Sequence, residues 1–225
     1  MIGMALIEIL LSDAHVIAVL KPSGLPSQPD LSGDLDLHTS LQQQFGEHSI
    51  GLVHRLDRPV SGVMIFGRTP QATAALSHQF QQRSIAKVYW AIVEGAFQTA
   101  TTLAHHLSHN ARSHKALVSG SLAGVAGPPA LLAVKPLAIG DRYTLVEVQP
   151  QGGAFHQIRA QLGAAGYAIK GDVKYGARRG EKDRSIALHA RSIAFQHPRT
   201  DEHMNVVAPP PSTPLWQALV DQRTT

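Results

Sequence analysis

The chain has 225 residues, 44% of them hydrophobic, with no cysteine and a formal net charge of +4. That length and apolar content suit one large domain or two closely joined lobes around a sizeable core. The absence of cysteine excludes disulfides, thiolate catalysis, iron–sulfur clusters and Cys-type zinc sites, and no apolar run reaches the roughly 18 residues of a membrane span.

Leu6–Leu11 and Val16–Leu20 read as two short strands around Ser12-Asp13. Lys21-Pro22-Ser23-Gly24-Leu25-Pro26 then breaks regular structure. Residues 27–37 are polar and loop-like, and Leu37–Phe45 suits a short helix ended near Gly46. Val63–Phe66 is a short apolar run, expected as a buried strand. Thr69-Pro70 is a helix start, with Thr as N-cap and Pro at the first helical position. Ala72, Leu76 and Phe80 follow on one helical face.

Ile85–Val93 is a strand whose alternation sets Lys87, Tyr89, Ala91 and Val93 against Val88, Trp90 and Ile92. Residues 98–130 are irregular, a loop or a pair of extended hairpin arms. Leu131–Leu137 and Tyr143–Val148 are strands around a turn at Gly140-Asp141. Phe155–Ala165 is predicted as a helix with Phe155, Ile158 and Leu162 as its core stripe and Gly166 at C′. Ile186–Phe195 and Met204–Ala208 are late strands, and Pro214–Val220 a terminal helix. The whole is a strand-rich α+β chain with mostly antiparallel connections.

Charge is unevenly placed. Residues 1–50 hold one basic residue, Lys21, and six acidic ones. No acid occurs between Glu94 and Asp141, a stretch containing Arg112, Lys115, Lys135 and four histidines. A second basic cluster comprises Lys170, Lys174, Arg178, Arg179, Lys182 and Arg184. Such asymmetry attracts a polyanion, although a solvated basic surface explains it as readily. His105-His106-x-x-His109 has metal-ligand spacing on a helix, but no helical pattern and no nearby acid accompany it, so no metal is expected.

Asp57, in His54-Arg55-Leu56-Asp57, is the candidate reactive carboxylate. An isolated Asp in a turn most often caps backbone N–H groups. A catalytic carboxylate in a partly dry pocket needs a fixed cation to stay ionised. Arg159 is the candidate, because a pair at ~4 Å and an effective dielectric near 20 gains roughly 4 kcal/mol. Tyr89 offers a ring for stacking and a hydroxyl for proton transfer, against the ordinary reading of a packed strand tyrosine.

These motifs occur in the order found in a known family. His54-Arg55-Leu56-Asp57 with Ser61-Gly62, Lys87-x-Tyr89, His156-Gln157-Ile158-Arg159, Gly171-Asp172-x-x-Tyr175-Gly176 and Leu188-His189-Ala190 resemble the RluA-type pseudouridine synthases, as do Lys21-Pro22-x-Gly24-Leu25-Pro26 and His197-Pro198 before Pro209-Pro210. The resemblance implies a single catalytic domain over 1–225, possibly two-lobed around a cleft, with a mixed, mainly antiparallel sheet, flanking helices and no added S4-like domain. It implies isomerisation of specific uridines in structured RNA, tRNA and/or large-subunit ribosomal RNA, without a cofactor or metal.

By the same resemblance Asp57 is the nucleophile, Tyr89 contacts the base, and Arg159 pairs with Asp57. Arg55 fills the space that a flipped base vacates. His54, Leu56, Lys87, His156, Gln157 and Ile158 join the substrate-binding set. Residues 95–140 look like the family's RNA-gripping loops, with Arg112 and Lys115 on phosphates. A monomer in the cytoplasm, with RNA as partner and no membrane, is the expectation.

Pro59-Val60 departs from the family's usual Asp-Thr, Gly152-Gly153-Ala154 from Thr-Gly-Arg, and Gln161 from a frequent His. A degenerate RNA-binding protein is therefore the alternative. Glycosidic hydrolysis is a third reading, disfavoured because no second carboxylate stands at a persuasive spacing.

Overall fold

The computed structural model describes residues 6–46, 48–119 and 128–223. Two compact units divide the chain: residues 1–87 with 190–210, and residues 88–189 with 211–225. Eleven strands and four α-helices are present among the described residues, in a mainly antiparallel α+β arrangement.

In the first unit β1 (Glu8–Ser12) pairs with β2 (Val16–Lys21), and β2 with β4 (Ser61–Gly67). The two-residue β3 (Gly51–Leu52) also lies on β4. β10 (Leu188–Gln196) follows β4 in the strand order, and β11 (His203–Val207) pairs with β10. Val16 to Val19 and Val63 to Phe66 are all buried, so both faces of these central strands are covered. Their near-continuous apolar character is the consequence. Ser61-Gly62 has a steric reason: Gly62 lies at φ +122°, and a Cβ there would stand 2.3 Å from the Ala190 carbonyl oxygen.

Two helices flank these strands. α1 (Leu37–Phe45) begins at Asp36, whose carboxylate accepts from Thr39 N–H at 3.0 Å, and ends at left-handed Gly46. α2 (Pro70–Gln81) begins at Thr69, whose hydroxyl accepts from Ala72 N–H at 3.1 Å, with Pro70 as the expected first residue. Its Ala72 and Leu76 are buried, as their spacing predicted.

The second unit orders its strands β5 (Ala86–Glu94), β9 (Tyr143–Gln151), β8 (Ala130–Ile139), β6 (Thr101–Asn110) and β7 (Lys115–Ser119). The stretch expected as a loop or as hairpin arms takes the second form: β6 and β7 pair from His106↔Ser119 to Asn110↔Lys115. Gly120, Gly124 and Gly127 lie outside the described residues.

The helix expected over Phe155–Ala165 is shorter. α3 runs Gln157–Ala164, because His156 adopts a left-handed conformation with φ +53°. Phe155 therefore leaves the proposed core stripe and is 42% exposed, while Ile158 and Leu162 keep their places. The helix ends as anticipated: Gly166 N–H donates to Gly163 O at 3.1 Å and Tyr167 N–H to Leu162 O at 2.9 Å, closing a Schellman cap. A short 3₁₀ turn, Val173–Tyr175, and α4 (Pro214–Arg223) complete this unit.

Candidate active site

In the first unit, residues 53–60 connect β3 to β4 and carry Asp57 at half-burial. They have no regular secondary structure of their own, so their shape depends on outside partners. Three arrive from distant parts of the sequence. Ser27, buried, donates its hydroxyl to Leu56 O at 2.7 Å and accepts from Leu56 N–H at 3.1 Å. Gly24 N–H donates to Arg58 O at 2.8 Å, and Arg58 Nε returns a bond to Gly24 O at 2.9 Å. Val60 N–H closes a turn onto Asp57 O at 3.0 Å. The backbone on either side of Asp57 is thus pinned.

Lys21 is the third partner. Its side chain is fully buried (0% exposed), and Nζ donates to Pro22 O at 2.9 Å, Leu25 O at 2.7 Å and Arg58 O at 3.2 Å. Three carbonyl acceptors match the three protons of an ammonium. Burial lowers Lys21 to about 7, and the negative charge of Asp57 opposes that fall. A cation without a directly bonded carboxylate thus stands close enough to Asp57 to feel its charge.

His54 braces the loop from the other side. Its Nε2 accepts from Ile65 N–H at 3.0 Å, and its ring stacks on Phe80 at 4.6 Å between centroids. A backbone N–H can only donate, so Nε2 is unprotonated and the imidazole neutral. Burial, assisted by the nearby Lys87 charge, lowers His54 to about 3, in agreement with that tautomer. Burial also lowers Lys87. Arg55 is exposed, whereas Leu56 is buried.

In the second unit, Tyr89 is half-buried on β5, opposite Val148 of β9. Arg159 projects from α3 with only 6% exposure, and Asp172 with 1%. Their contact is bidentate: Nε to one carboxylate oxygen at 2.7 Å and an Nη to the other at 2.9 Å. The Arg159 guanidinium carbon also lies 5.1 Å from the centre of the Tyr175 ring. His156 Nδ1 is 2.8 Å from the Tyr175 hydroxyl, which accepts from Ala116 N–H at 2.8 Å. Gln157 is buried, with its amide nitrogen on Leu131 O at 3.0 Å. Burial gives Leu56, Gln157 and Ile158 supporting work inside the fold and leaves little of them to present to a ligand.

Arg112 is exposed in the turn between β6 and β7, and Lys115 opens β7. Sequence reasoning assigned no role to Lys21, Ser27, Asp172 or Tyr175. Lys21, Asp172 and Tyr175 stand inside motifs that carried the family resemblance, which was the available signal. Ser27 gave none.

The comparisons with known proteins agree with this architecture. Residues 15–164 match the family model for RNA pseudouridylate synthase. The chain is 32% identical to tRNA pseudouridine synthase C of Yersinia pestis, over 96% of this chain and 91% of that protein. It is 34% identical to the dual-specificity RNA pseudouridine synthase RluA of Vibrio vulnificus, over 86% of this chain and 79% of that one. The solved structure of human RNA pseudouridylate synthase domain containing 1 superposes with a TM-score of 0.79 at 26% identity, over 97% of this chain and 90% of that one. The chain belongs to the RluA-type RNA pseudouridine synthase family. It is an isomerase with the pseudouridine synthase fold.

Proposed function

We propose that this chain converts one or more uridines of structured RNA, in tRNA and/or large-subunit ribosomal RNA, to pseudouridine, with Asp57 as the nucleophile. The observation that carries the reading is the bracing of Asp57: the residues on both sides of it are fixed by Ser27, Gly24 and Lys21, and Lys21 sets a buried positive charge near it. A carboxylate held that way is preorganised for attack rather than for capping a turn. The target RNA class is supported by the tRNA-acting and dual-specificity relatives.

The chemistry balances without a cofactor. Asp57 displaces the base at C1′, and the N1–C1′ electron pair leaves with uracil. The base turns, C5 displaces the carboxylate, and a C5–C1′ bond replaces the N1–C1′ bond. The proton lost from C5 is balanced by one gained at N1. Tyr89 is assigned to the base, as a stacking ring and as the group that takes the C5 proton. Arg159, oriented by Asp172, is assigned to the carboxylate chemistry as its cation. Arg55, exposed beside the nucleophile's loop, is assigned to the space left by the flipped uridine. The cytoplasm, where these RNAs mature, is the proposed location, and a monomer the proposed state.

The test pairs a deletion strain with purified protein. Chemical mapping of its RNA should lose pseudouridine at discrete positions, and the wild-type chain should restore them in vitro. Asp57→Asn should fold normally and form no detectable product. Undiminished product from Asp57→Asn would remove the nucleophile assignment, and an unchanged pseudouridine map would remove the RNA targets.

A further inference from the structure

Phe155 is an exposed aromatic residue with an organised setting. One face of its ring stacks on His156, with centroids 3.8 Å apart and planes 20° from parallel. The His109 ring meets it edge-on at 4.6 Å. His156 is in turn fixed by its 2.8 Å hydrogen bond to the Tyr175 hydroxyl, and that hydroxyl is tied to Ala116 of the β6–β7 hairpin. The left-handed backbone at His156 turns Phe155 out of the helix rather than into its core stripe. A non-glycine residue at positive φ persists only where its surroundings enforce it, and such positions gather at ligand sites.

The hairpin that meets this ring carries charge of one sign. The hairpin that supplies His109 also carries Arg112 and Lys115, and no acidic residue occurs between Glu94 and Asp141. Although His156 covers one face of its ring, Phe155 remains 42% exposed. A flat apolar surface beside cations suits a nucleobase whose phosphates lie on the basic hairpin.

We infer that Phe155, backed by His156 and edged by His109, is a stacking platform for an unpaired base of the RNA substrate, separate from the uridine that reacts. This rests on the synthase reading for its ligand class. The platform recognises single-stranded nucleotides flanking the target, and it acts on binding rather than on the chemical step.

The experiment measures binding of the full chain to labelled oligouridylate and to a short RNA duplex. Base–aromatic stacking is sequence-tolerant, so Phe155→Ala should weaken oligouridylate binding by about tenfold. Phe155→Leu, which keeps bulk but lacks a π-face, should weaken it similarly, and Phe155→Trp should match or exceed wild type. Duplex binding should not change. On substrate RNA, Phe155→Leu should raise KM and leave kcat near the wild-type value.

Wild-type affinity for oligouridylate in Phe155→Leu overturns the platform, as does an equal loss on duplex and single strand. Melting temperature and circular dichroism of each variant separate these results from misfolding, and Phe155→Trp keeps the inference falsifiable if Phe155→Ala is unstable. Pseudouridine formation by the wild type is measured in parallel. If it fails, the synthase reading falls, and the binding series still decides the platform.

Discussion

Lys21 in the first unit and Arg159 in the second are both buried, and the two solve the same electrostatic problem differently. Arg159 has the Asp172 carboxylate across two nitrogens of its fork, which fixes its orientation. Lys21 has only backbone carbonyls, so its charge is solvated by dipoles and remains available to its surroundings. The charge of Asp57 is felt at Lys21, where it opposes the effect of burial. A charge held by dipoles is a source of field, and it also joins Pro22, Leu25 and Arg58 into one braced loop. The comparison assigns Asp172 to holding Arg159 in one orientation and Lys21 to both shaping and charging the neighbourhood of Asp57.

The sharpest way to break that contrast is to remove Asp172. Asp172→Asn takes the bidentate carboxylate from an almost fully buried guanidinium, and breaking a buried pair from one side typically costs about 3–5 kcal/mol. Chemical denaturation should show the drop. Replacing the whole pair, with Arg159→Met and Asp172→Leu together, should recover most of the stability, because no unpaired charge remains. The double variant should still form no pseudouridine. Full activity in the double variant would make the pair purely structural and would remove Arg159 from the chemistry.

Much of the fold was legible because it depends on local signals. Thr69-Pro70 marks a helix start through its own side chains, and Gly46 and Gly166 mark ends through backbone freedom. The site was legible only as residue types in order. Nothing near Lys21 in the sequence shows that its ammonium reaches Arg58, and nothing near Arg159 shows that Asp172 takes its fork, since each contact depends on how the intervening chain folds back. Phe155 was misplaced because its spacing to Ile158 and Leu162 fits a helical stripe, and periodicity is blind to the left-handed turn at His156. The β6–β7 hairpin was legible only as an alternative to a loop, because His105, His106, Ser108 and His109 give β6 a weak strand pattern. The departures at Val60 and Gln161 differ in three dimensions. Val60 is buried and its N–H closes the turn on Asp57. Gln161 is buried with its amide nitrogen on Ala130 O at 3.0 Å, but its amide oxygen has no hydrogen-bond partner among the described residues.

Lys21 offers the second way to sharpen the contrast. Lys21→Met keeps the length and apolar stem but removes the buried donor of the Pro22 and Leu25 carbonyls and leaves Arg58 O with Gly24 N–H alone. Leaving buried acceptors unsatisfied costs about 1–3 kcal/mol, less than the loss expected at Asp172. Activity should fall further than stability, because both the field near Asp57 and the backbone beside it change. The measurement is a kcat and KM determination at a temperature where the variant is fully folded. A fall in KM affinity alone, with kcat intact, would make Lys21 a mere brace and erase the distinction between the two cations.

The smallest effect concerns His54, which braces the same loop while carrying no charge. Its folded value, about 3, lies below the unfolded value of 6.5. Between those values the unfolded chain binds a proton that the folded chain refuses, so stability rises with pH across the window. The contribution is complete above about 6.5 and is lost progressively as pH falls toward 3. His54→Phe keeps a ring against Phe80 but neither titrates nor accepts from Ile65 N–H. At neutral pH it should be less stable than wild type by about 1 kcal/mol, the net value of one hydrogen bond. On acidification the wild type should lose stability faster, so the two curves of melting temperature against pH should converge. Parallel curves would mean that His54 takes up its proton without penalty, and that the loop carrying Asp57 is held by Lys21, Ser27 and Gly24 alone.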